Sequence, residues 1–421
     1  MTNLLLVLLA CSPQEPTMPE PLPTVAPQHV EPRESTVALR AGAWRAWLDT
    51  PGGELPFRLE VADLGGSWKA WIGNAEERLA IDEVRIEGPE IVFDIAHYDA
   101  TIRATWSEDG ELMTGTWTKQ KPEGRVDQLP FQAKLNYGSR FPGGLDPTTD
   151  VSGRWRVDFD GDAFPAVALF DQRANHEVTG TFLTALGDYR YIDGSNQGND
   201  LALSTFDGAH AFLFHATLQP DGSLRGDFWS GGLWHQTWTA VRDDDIALPD
   251  PMTLSHAQEN PDWSALSFPD LDGVPRTLAD PQFAGQARII QIMGTWCPNC
   301  NDETVFLTEL QRDYGQLGLS IVSLAFEHTG DFERDARIVR RYKQHHGASW
   351  PFLIAGLSDK ADASDKLPIL ERVIAFPTTL FVDKEGHVRA VHTGFTGPVL
   401  PVEYTALKSE FIRIVAELLA E

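Results

Sequence analysis

The chain has 421 residues, a hydrophobic content of 42% and a formal net charge of −27 at neutral pH. This length predicts two or three domains with apolar cores. The strong negative charge argues against nucleic acid as a partner, because like charges repel. No apolar run is long enough to cross a bilayer as a helix.

Residues 1–11 combine a short apolar run with a cysteine. In "LLLVLLACS" the small residue Ala10 precedes Cys11, which resembles the lipobox of bacterial lipoproteins. In such proteins the cysteine is lipidated and becomes the mature N-terminus. We therefore expect an exported protein, anchored by lipid on the periplasmic side of the cell envelope. The alternative is a buried N-terminal segment with an inert cysteine.

Residues 12–38 are rich in proline and nearly free of bulky apolar side chains. Such a segment buries too little surface to offset the entropy cost of ordering, and proline extends it. We predict a tether between the anchor and the folded part of the chain.

Residues 39–138 and 150–243 alternate apolar and polar side chains in short runs, which is the period of half-buried antiparallel strands. The two stretches also repeat one another. The segment "GAWRAWLDT" from Gly42 parallels "GRWRVDFDG" from Gly153. The sequence therefore predicts a duplication.

Each copy contains an Asp-Gly pair between two alternating runs, Asp109-Gly110 and Asp221-Gly222, as a β-hairpin requires. We predict two tandem antiparallel β-modules of about seven or eight strands each, folded as small barrels or sandwiches. A single barrel shared by both copies is the alternative. Their many tryptophans are expected in cores and cross-strand pairs, with a ligand or glycan surface as the alternative. No metal-ligand spacing or catalytic motif is present.

Residues 244–262 form an acidic, proline-bearing linker that is expected to pack against little. In residues 263–421 the pattern changes to alternating strands and helices, which is the order of a thioredoxin-like α/β domain. The predicted elements are a hairpin at 263–278, a central strand at 287–296, a helix at 298–314, a strand at 319–327, a helix at 331–346, a hairpin at 378–395 and a final helix at 404–421. This segment is expected to fold and act independently of the β-modules.

The segment "GTWCPNC" holds two of the three cysteines, Cys297 and Cys300, where the central strand ends and a helix begins. The free N–H groups of a helix N-terminus stabilise a thiolate at Cys297. We therefore expect Cys297 to attack a substrate disulfide and Cys300 to resolve the mixed disulfide. Pro298 suits the first helical turn, and Trp296 is expected to pack beside the pair and limit access.

The segments "TWCPNCNDE", "AFPTTLFVDKEGHV" and "HTGF" resemble the TlpA/ResA-type thiol–disulfide oxidoreductases of the thioredoxin superfamily. The resemblance covers 263–421 and does not extend to the duplicated β region. It implies a cis peptide bond at Pro377 facing the dithiol, substrate pairing by the backbone of Phe376, and a glutamate, Glu303, that tunes reactivity. Gln291 replaces the buried aspartate of thioredoxin. The alternative for Glu303 is an ordinary solvated helix position.

The resemblance implies an exported oxidoreductase that reduces disulfides in client proteins and receives electrons from a membrane protein of the DsbD/CcdA type. No cofactor and no metal are expected. Zinc at the cysteine pair would need two further ligands, and a purely structural disulfide rarely spans so short a loop. Two other functions stay open. One is a cell-envelope ligand-binding protein whose β-modules carry the function. The other is a peroxiredoxin-like peroxidase, although Thr295 is out of register with that motif.

Overall fold

The computed structural model describes residues 39–136 and 138–421. The predictions for Cys11 and for the tether fall on residues outside these ranges. Three parts follow one another: the first β-module (39–136), the second β-module (150–243) and the C-terminal domain (263–421). None of the helices in the described part of the chain has the length and apolar character needed to cross a membrane.

The first β-module is an antiparallel sheet. Its strands are β1 (Gly42–Thr50), β2 (Gly53–Asp63), β3 (Trp68–Asn74), β4 (Glu77–Ala80), β5 (Glu83–Glu87), β6 (Glu90–Ile95), β7 (Ala100–Trp106), β8 (Leu112–Gln120) and β9 (Val126–Leu135). Their spatial order is β4-β3-β2-β1-β9-β8-β7-β6-β5. Alternate residues of β9 are buried, as expected for a strand with one face in the core and the other in solvent.

The second β-module repeats this hairpin order and closes into a barrel. Its strands are β10 (Gly153–Phe159), β11 (Ala166–Gln172), β12 (Glu177–Thr184), β13 (Gly187–Asp188), β14 (Ile192–Gln197), β15 (Asp200–Phe206), β16 (Ala211–Leu218), β17 (Leu224–Ser230) and β18 (Trp234–Arg242). The order is β11-β10-β18-β17-β16-β15-β14-β12-β13, and the additional pairing of β11 with β12 joins the ends.

The predicted duplicated β region is confirmed, with nine strands in each copy rather than seven or eight. The extra strands escape prediction because the shortest, such as β13 with two residues, carry no alternating pattern. Two separate sheets form, so the shared-barrel alternative is wrong. The copies nevertheless pack together, because Phe206 and Leu213 of the second module belong to the core of the first. Several tryptophans are core residues: Trp44, Trp117, Trp155 and Trp238.

The C-terminal domain has the predicted thioredoxin-like fold. Its strands are β19 (Ser267–Pro269), β20 (Pro275–Thr277), β21 (Ala287–Met293), β22 (Leu319–Glu327), β23 (Phe352–Leu357), β24 (Thr378–Val382) and β25 (Val388–Thr393), and its helices are α1 (Pro298–Tyr314), α2 (Phe332–His346), α3 (Lys360–Lys366) and α4 (Pro401–Ala420). The main sheet has the order β23-β22-β21-β24-β25. Strand β21 is central and buried along its whole length, as its unbroken apolar run predicts.

Two elements of this domain, β23 and α3, are absent from the sequence prediction. Both are short, with six and seven residues, and α3 depends on Asp359, whose carboxylate accepts N–H groups from Ala361 and Asp362. Helix α4 starts at Pro401, three residues before the predicted 404, because proline fits the first turn of a helix.

The expectation that residues 244–262 pack against little is wrong. Ile246 and Leu248 are packed against buried residues of the second module and of the C-terminal domain. Ser255 is 1% exposed, and its hydroxyl donates to the carbonyl of Arg372 at 2.6 Å. Met252 and Ala257 also pack against the core of the C-terminal domain. The segment is therefore docked along both neighbouring parts of the fold.

Candidate active site

Cys297 and Cys300 lie where β21 leads into α1. Cys297 is the N-cap of α1, and its Sγ accepts the backbone N–H of Cys300 at 3.2 Å. The Cys297 thiol also donates to the carbonyl of Phe376 at 3.3 Å. Both cysteines are free, with Cys297 6% and Cys300 0% exposed. The first sulfur is therefore held between a helix N-terminus and a neighbouring loop, and the second lies in the core.

The loop that faces the dithiol contains a cis peptide bond between Phe376 and Pro377. Trp296 closes another side of the site. Its Nε1 donates to the carbonyl of Phe326 at 2.9 Å, and its ring stacks on His328 with 5.2 Å between centroids. Trp296 also meets the ring of Phe376 edge-on at 5.4 Å. The structure thus brings the predicted residues Trp296, Phe376 and Pro377 together around Cys297.

Glu303 is 0% exposed, so the alternative of a solvated helix position is wrong. Its carboxylate accepts the Gln291 amide at 2.9 Å and the Thr379 hydroxyl at 2.5 Å. Burial raises the pKa of Glu303 to about 7 and outweighs these two hydrogen bonds. Burial also raises the pKa of the Cys300 thiol. Tyr342, which the sequence analysis missed, donates its hydroxyl to the Cys300 carbonyl at 3.0 Å.

A second buried carboxyl lies on the other side of the dithiol segment. Glu327 accepts the backbone N–H of Thr295 at 2.9 Å and its hydroxyl at 2.7 Å. Burial raises the pKa of Glu327 to about 8. The sequence predicts only that Glu327 lies in strand β22. The structure shows in addition that its carboxylate binds Thr295, two residues before Cys297.

Lys119 of the first β-module is buried close enough to the site for its charge to interact with Cys297. Its ammonium group donates to the carbonyl of Ala209 at 2.8 Å. Burial lowers the pKa of Lys119 to about 7. No sequence signal connects this strand residue with the dithiol, because only the docking of the modules brings them together.

A segment of the second β-module, residues 184–191, lies against the dithiol helix, and we call it the cover loop. Asp188 accepts the backbone N–H of Gly397 at 2.5 Å. Gly187 has a φ of 143°, which favours glycine, and an added Cβ would lie 2.1 Å from the Asn299 side-chain nitrogen, so any other residue strains the backbone and displaces Asn299. The β-modules are therefore part of the surroundings of the dithiol. Independent folding and activity of the C-terminal domain stay a prediction.

Arg190, also in the cover loop, joins all three parts of the fold. Its guanidinium donates to Glu77 of the first module at 2.5 Å and to Asp302 of α1 at 2.5 Å. It also donates to the carbonyl of Pro298 at 3.4 Å. Asp207 of the second module lies 3.7 Å from the Arg190 Nε. We call Arg190, Glu77, Asp207 and Asp302 the Arg190 cluster, and all four residues are buried.

A five-stranded mixed sheet, with a Cys-x-x-Cys pair at the start of α1, defines a domain of the thioredoxin superfamily. Residues 257–403 match the Redoxin family. The C-terminal region thus carries a Redoxin domain, and the predicted resemblance to thiol–disulfide oxidoreductases is confirmed for this part of the chain.

Two relatives and one solved structure illustrate the similarity. Thioredoxin-like protein YneN of Bacillus subtilis is 26% identical over 141 residues, which are 34% of this chain and 73% of YneN. Thiol-disulfide oxidoreductase ResA of Geobacillus thermodenitrificans is 27% identical over 125 residues, which are 30% of this chain and 63% of ResA. A thioredoxin-family thiol:disulfide interchange protein from Chlorobium tepidum, 23% identical, aligns with a TM-score of 0.30 over 39% of this chain and 99% of its own.

Proposed function

We propose that this protein is an exported, lipid-anchored thiol–disulfide oxidoreductase that reduces disulfides of client proteins through Cys297 and Cys300. The observation that carries the proposal is the position of Cys297. Its sulfur accepts an N–H group at the start of α1 and lies beside the Phe376–Pro377 loop. A helix N-terminus stabilises a thiolate, and the thiolate is the nucleophile in disulfide exchange.

The proposed reaction has two exchange steps. The Cys297 thiolate attacks one sulfur of the client disulfide, and the other client sulfur leaves as a thiolate and takes a proton. Cys300 then loses its proton and attacks the Cys297 sulfur of the mixed disulfide, which releases the second client thiol. Two electrons pass to the client, and Cys297 and Cys300 end as a disulfide. A membrane dithiol protein of the DsbD/CcdA type is proposed to return the two electrons.

Cys300 needs a base in the second step, because burial raises the pKa of its thiol. Glu303 is the proposed proton acceptor. Gln291 and Thr304 link Glu303 by hydrogen bonds to Tyr342, which binds the Cys300 carbonyl. The Glu303 pKa of about 7 suits proton exchange near neutral pH. Gln291 positions the carboxylate and cannot itself titrate. Glu303 therefore takes the part that the buried aspartate is expected to play in thioredoxin.

The cover loop restricts which clients can reach the dithiol. Cys297 is nearly buried, and Pro298 and Asn299 beside it are buried as well. A broad folded surface cannot approach such a sulfur. We propose that the β-modules admit small disulfides or extended client segments and exclude folded ones unless the cover loop moves away.

The roles of the two thiols are tested by alkylation and by trapping. In the reduced protein, iodoacetamide at neutral pH is expected to modify Cys297 much faster than Cys300, because Cys297 is the activated and less buried thiol. A Cys300→Ser variant is expected to accumulate mixed disulfides with clients, and the matched Cys297→Ser variant is expected to accumulate none. Faster alkylation of Cys300, or trapping by Cys297→Ser, would assign the roles the other way.

The lipid anchor is tested by fractionation in a bacterial host. The wild-type protein is expected to stay with the membrane until detergent is added, because a lipidated N-terminus partitions into the bilayer. Cys11→Ala is expected to lose this behaviour, whereas Ser12→Ala serves as the neighbouring control. A mature protein that still begins with Met1 would rule the anchor out.

A further inference from the structure

Three side chains that the reaction does not use meet where the first β-module touches α2. Asp82 lies between β4 and β5, His97 lies just after β6, and His345 lies in the last turn of α2. The Nδ1 atom of His97 is 2.6 Å from one Asp82 oxygen, and the Nδ1 atom of His345 is 2.9 Å from the other. The two imidazole rings stack with 4.4 Å between centroids. We call these three residues the interface triad.

We propose that the interface triad binds a divalent metal ion of the zinc type and thereby ties the first β-module to the C-terminal domain. One atom from each residue can be chosen so that all three lie within 4.8 Å of one another. Imidazole nitrogen and carboxylate oxygen are established zinc ligands, with bonds of about 2.0–2.2 Å. Ligand atoms around a tetrahedral ion are then roughly 3.3 Å apart. Binding therefore requires the two stacked rings to turn until one nitrogen of each points at the ion, in place of their hydrogen bonds to Asp82.

The triad is largely buried but opens to solvent on the side of His345. His97 is buried and the Asp82 side chain is largely buried. His345 stays partly exposed, which leaves a path for the ion and room for water as a fourth ligand.

The placement of the triad gives the metal a structural role, because the ion would hold the first β-module against α2 and take no part in disulfide exchange. The ligands come from two parts of the fold, so an ion can bind all three only when these parts are docked. Asp99, two residues after His97, already forms an ion pair with Arg334 of α2 across the same contact. A bound ion therefore stabilises the docked arrangement, and metal removal loosens it.

The test measures zinc binding to the full-length protein by calorimetry and by thermal unfolding. The cysteines are held as the Cys297–Cys300 disulfide, so that thiolates do not bind the metal. We expect one zinc ion per chain and a higher Tm with zinc. His345→Gln is expected to weaken binding more than about tenfold and to abolish the Tm shift, and Asp82→Asn is expected to do the same.

The matched control is His235→Gln. His235 forms a similar ion pair with Asp227 at 2.8 Å, but this pair is exposed and lies outside the triad. This variant is expected to bind zinc as the wild type does. Circular dichroism shows whether each variant is folded, and the cobalt-loaded protein is expected to show visible absorption typical of nitrogen and oxygen ligands. Wild-type protein without a Tm shift at several-fold excess zinc, or a folded His345→Gln variant with unchanged affinity, would overturn the proposal.

Discussion

Replacing Arg190 by methionine is expected to lower the free energy of unfolding by about 3–5 kcal/mol, because it leaves buried carboxylates without their cation. Arg190 donates to Glu77 and Asp302 at 2.5 Å each, and Asp207 lies 3.7 Å away. Methionine fills part of the volume but cannot compensate any of the three acids. Denaturant unfolding followed by tryptophan fluorescence measures the change.

The same substitution is also expected to expose the dithiol, because the Arg190 cluster holds the cover loop against α1. Alkylation of Cys297 should become several-fold faster in Arg190→Met under conditions where the protein stays folded. This second readout separates loosening of the cover loop from general destabilisation. A general loss of stability would not change the alkylation rate of the folded protein, whereas undocking would.

Arg173→Met is the control for the Arg190 substitution. Arg173 also connects the two β-modules, through an ion pair with Glu76 at 2.7 Å, but both side chains are largely exposed. Exposed ion pairs contribute about 0–1 kcal/mol, so this variant should unfold nearly as the wild type does. If Arg190→Met changes stability no more than Arg173→Met and leaves the alkylation rate unchanged, the Arg190 cluster does not hold the cover loop in place.

The sequence predicts those parts of the fold that follow from local patterns. Strands β9 and β10 alternate with a period of two. This alternation, the Asp-Gly turns and the uninterrupted apolar run of β21 indicate structures that form within a few residues. Helix α1 is predicted with its observed limits, 298–314, because the Cys-x-x-Cys segment and Pro298 mark its start. The resemblance to known oxidoreductases then supplies the surroundings of Cys297.

The docking of the modules could not be predicted, because it depends on contacts between residues far apart in the chain. Arg190 and Lys119 sit in strand-rich segments without any motif, and their neighbours in sequence do not indicate what they will meet. The acidic composition of residues 244–262 favours solvent, yet this segment packs against both neighbours. The composition of a linker shows that the segment can remain in contact with solvent. It does not show whether a neighbouring part of the fold offers a surface for packing.

Replacing Glu303 by glutamine is expected to reduce the pH dependence of stability. The pKa of Glu303 rises from its usual 4.5 to about 7 in the folded protein, because the carboxyl is buried. A raised pKa means that this group stabilises the fold at low pH, where it is protonated. Its contribution is lost as the pH rises from about 4.5 to about 7, and amounts to about 3 kcal/mol.

Glutamine carries no charge at any pH, so the variant does not lose this contribution as the pH rises. The glutamine amide has one acceptor oxygen, so it cannot replace both carboxylate oxygens that accept hydrogen bonds from Gln291 and Thr379. The lost hydrogen bond lowers the free energy of unfolding by an amount that does not depend on pH. The slope of stability against pH is therefore the decisive quantity. A smaller slope remains in the variant, because Glu327, with a pKa of about 8, titrates over an overlapping range.

Glu303→Gln is also expected to slow the resolving step by about tenfold or more, because glutamine cannot take the proton of Cys300. Decay of a preformed mixed disulfide on Cys297 measures this step directly. The control is Glu309→Gln, a partly exposed glutamate on the same helix, which should keep both the wild-type slope and the wild-type decay rate. Parallel stability curves for Glu303→Gln and wild type would show that Glu303 does not change its protonation in this range. If the mixed disulfide also decays at the wild-type rate in Glu303→Gln, water rather than Glu303 accepts the proton of Cys300.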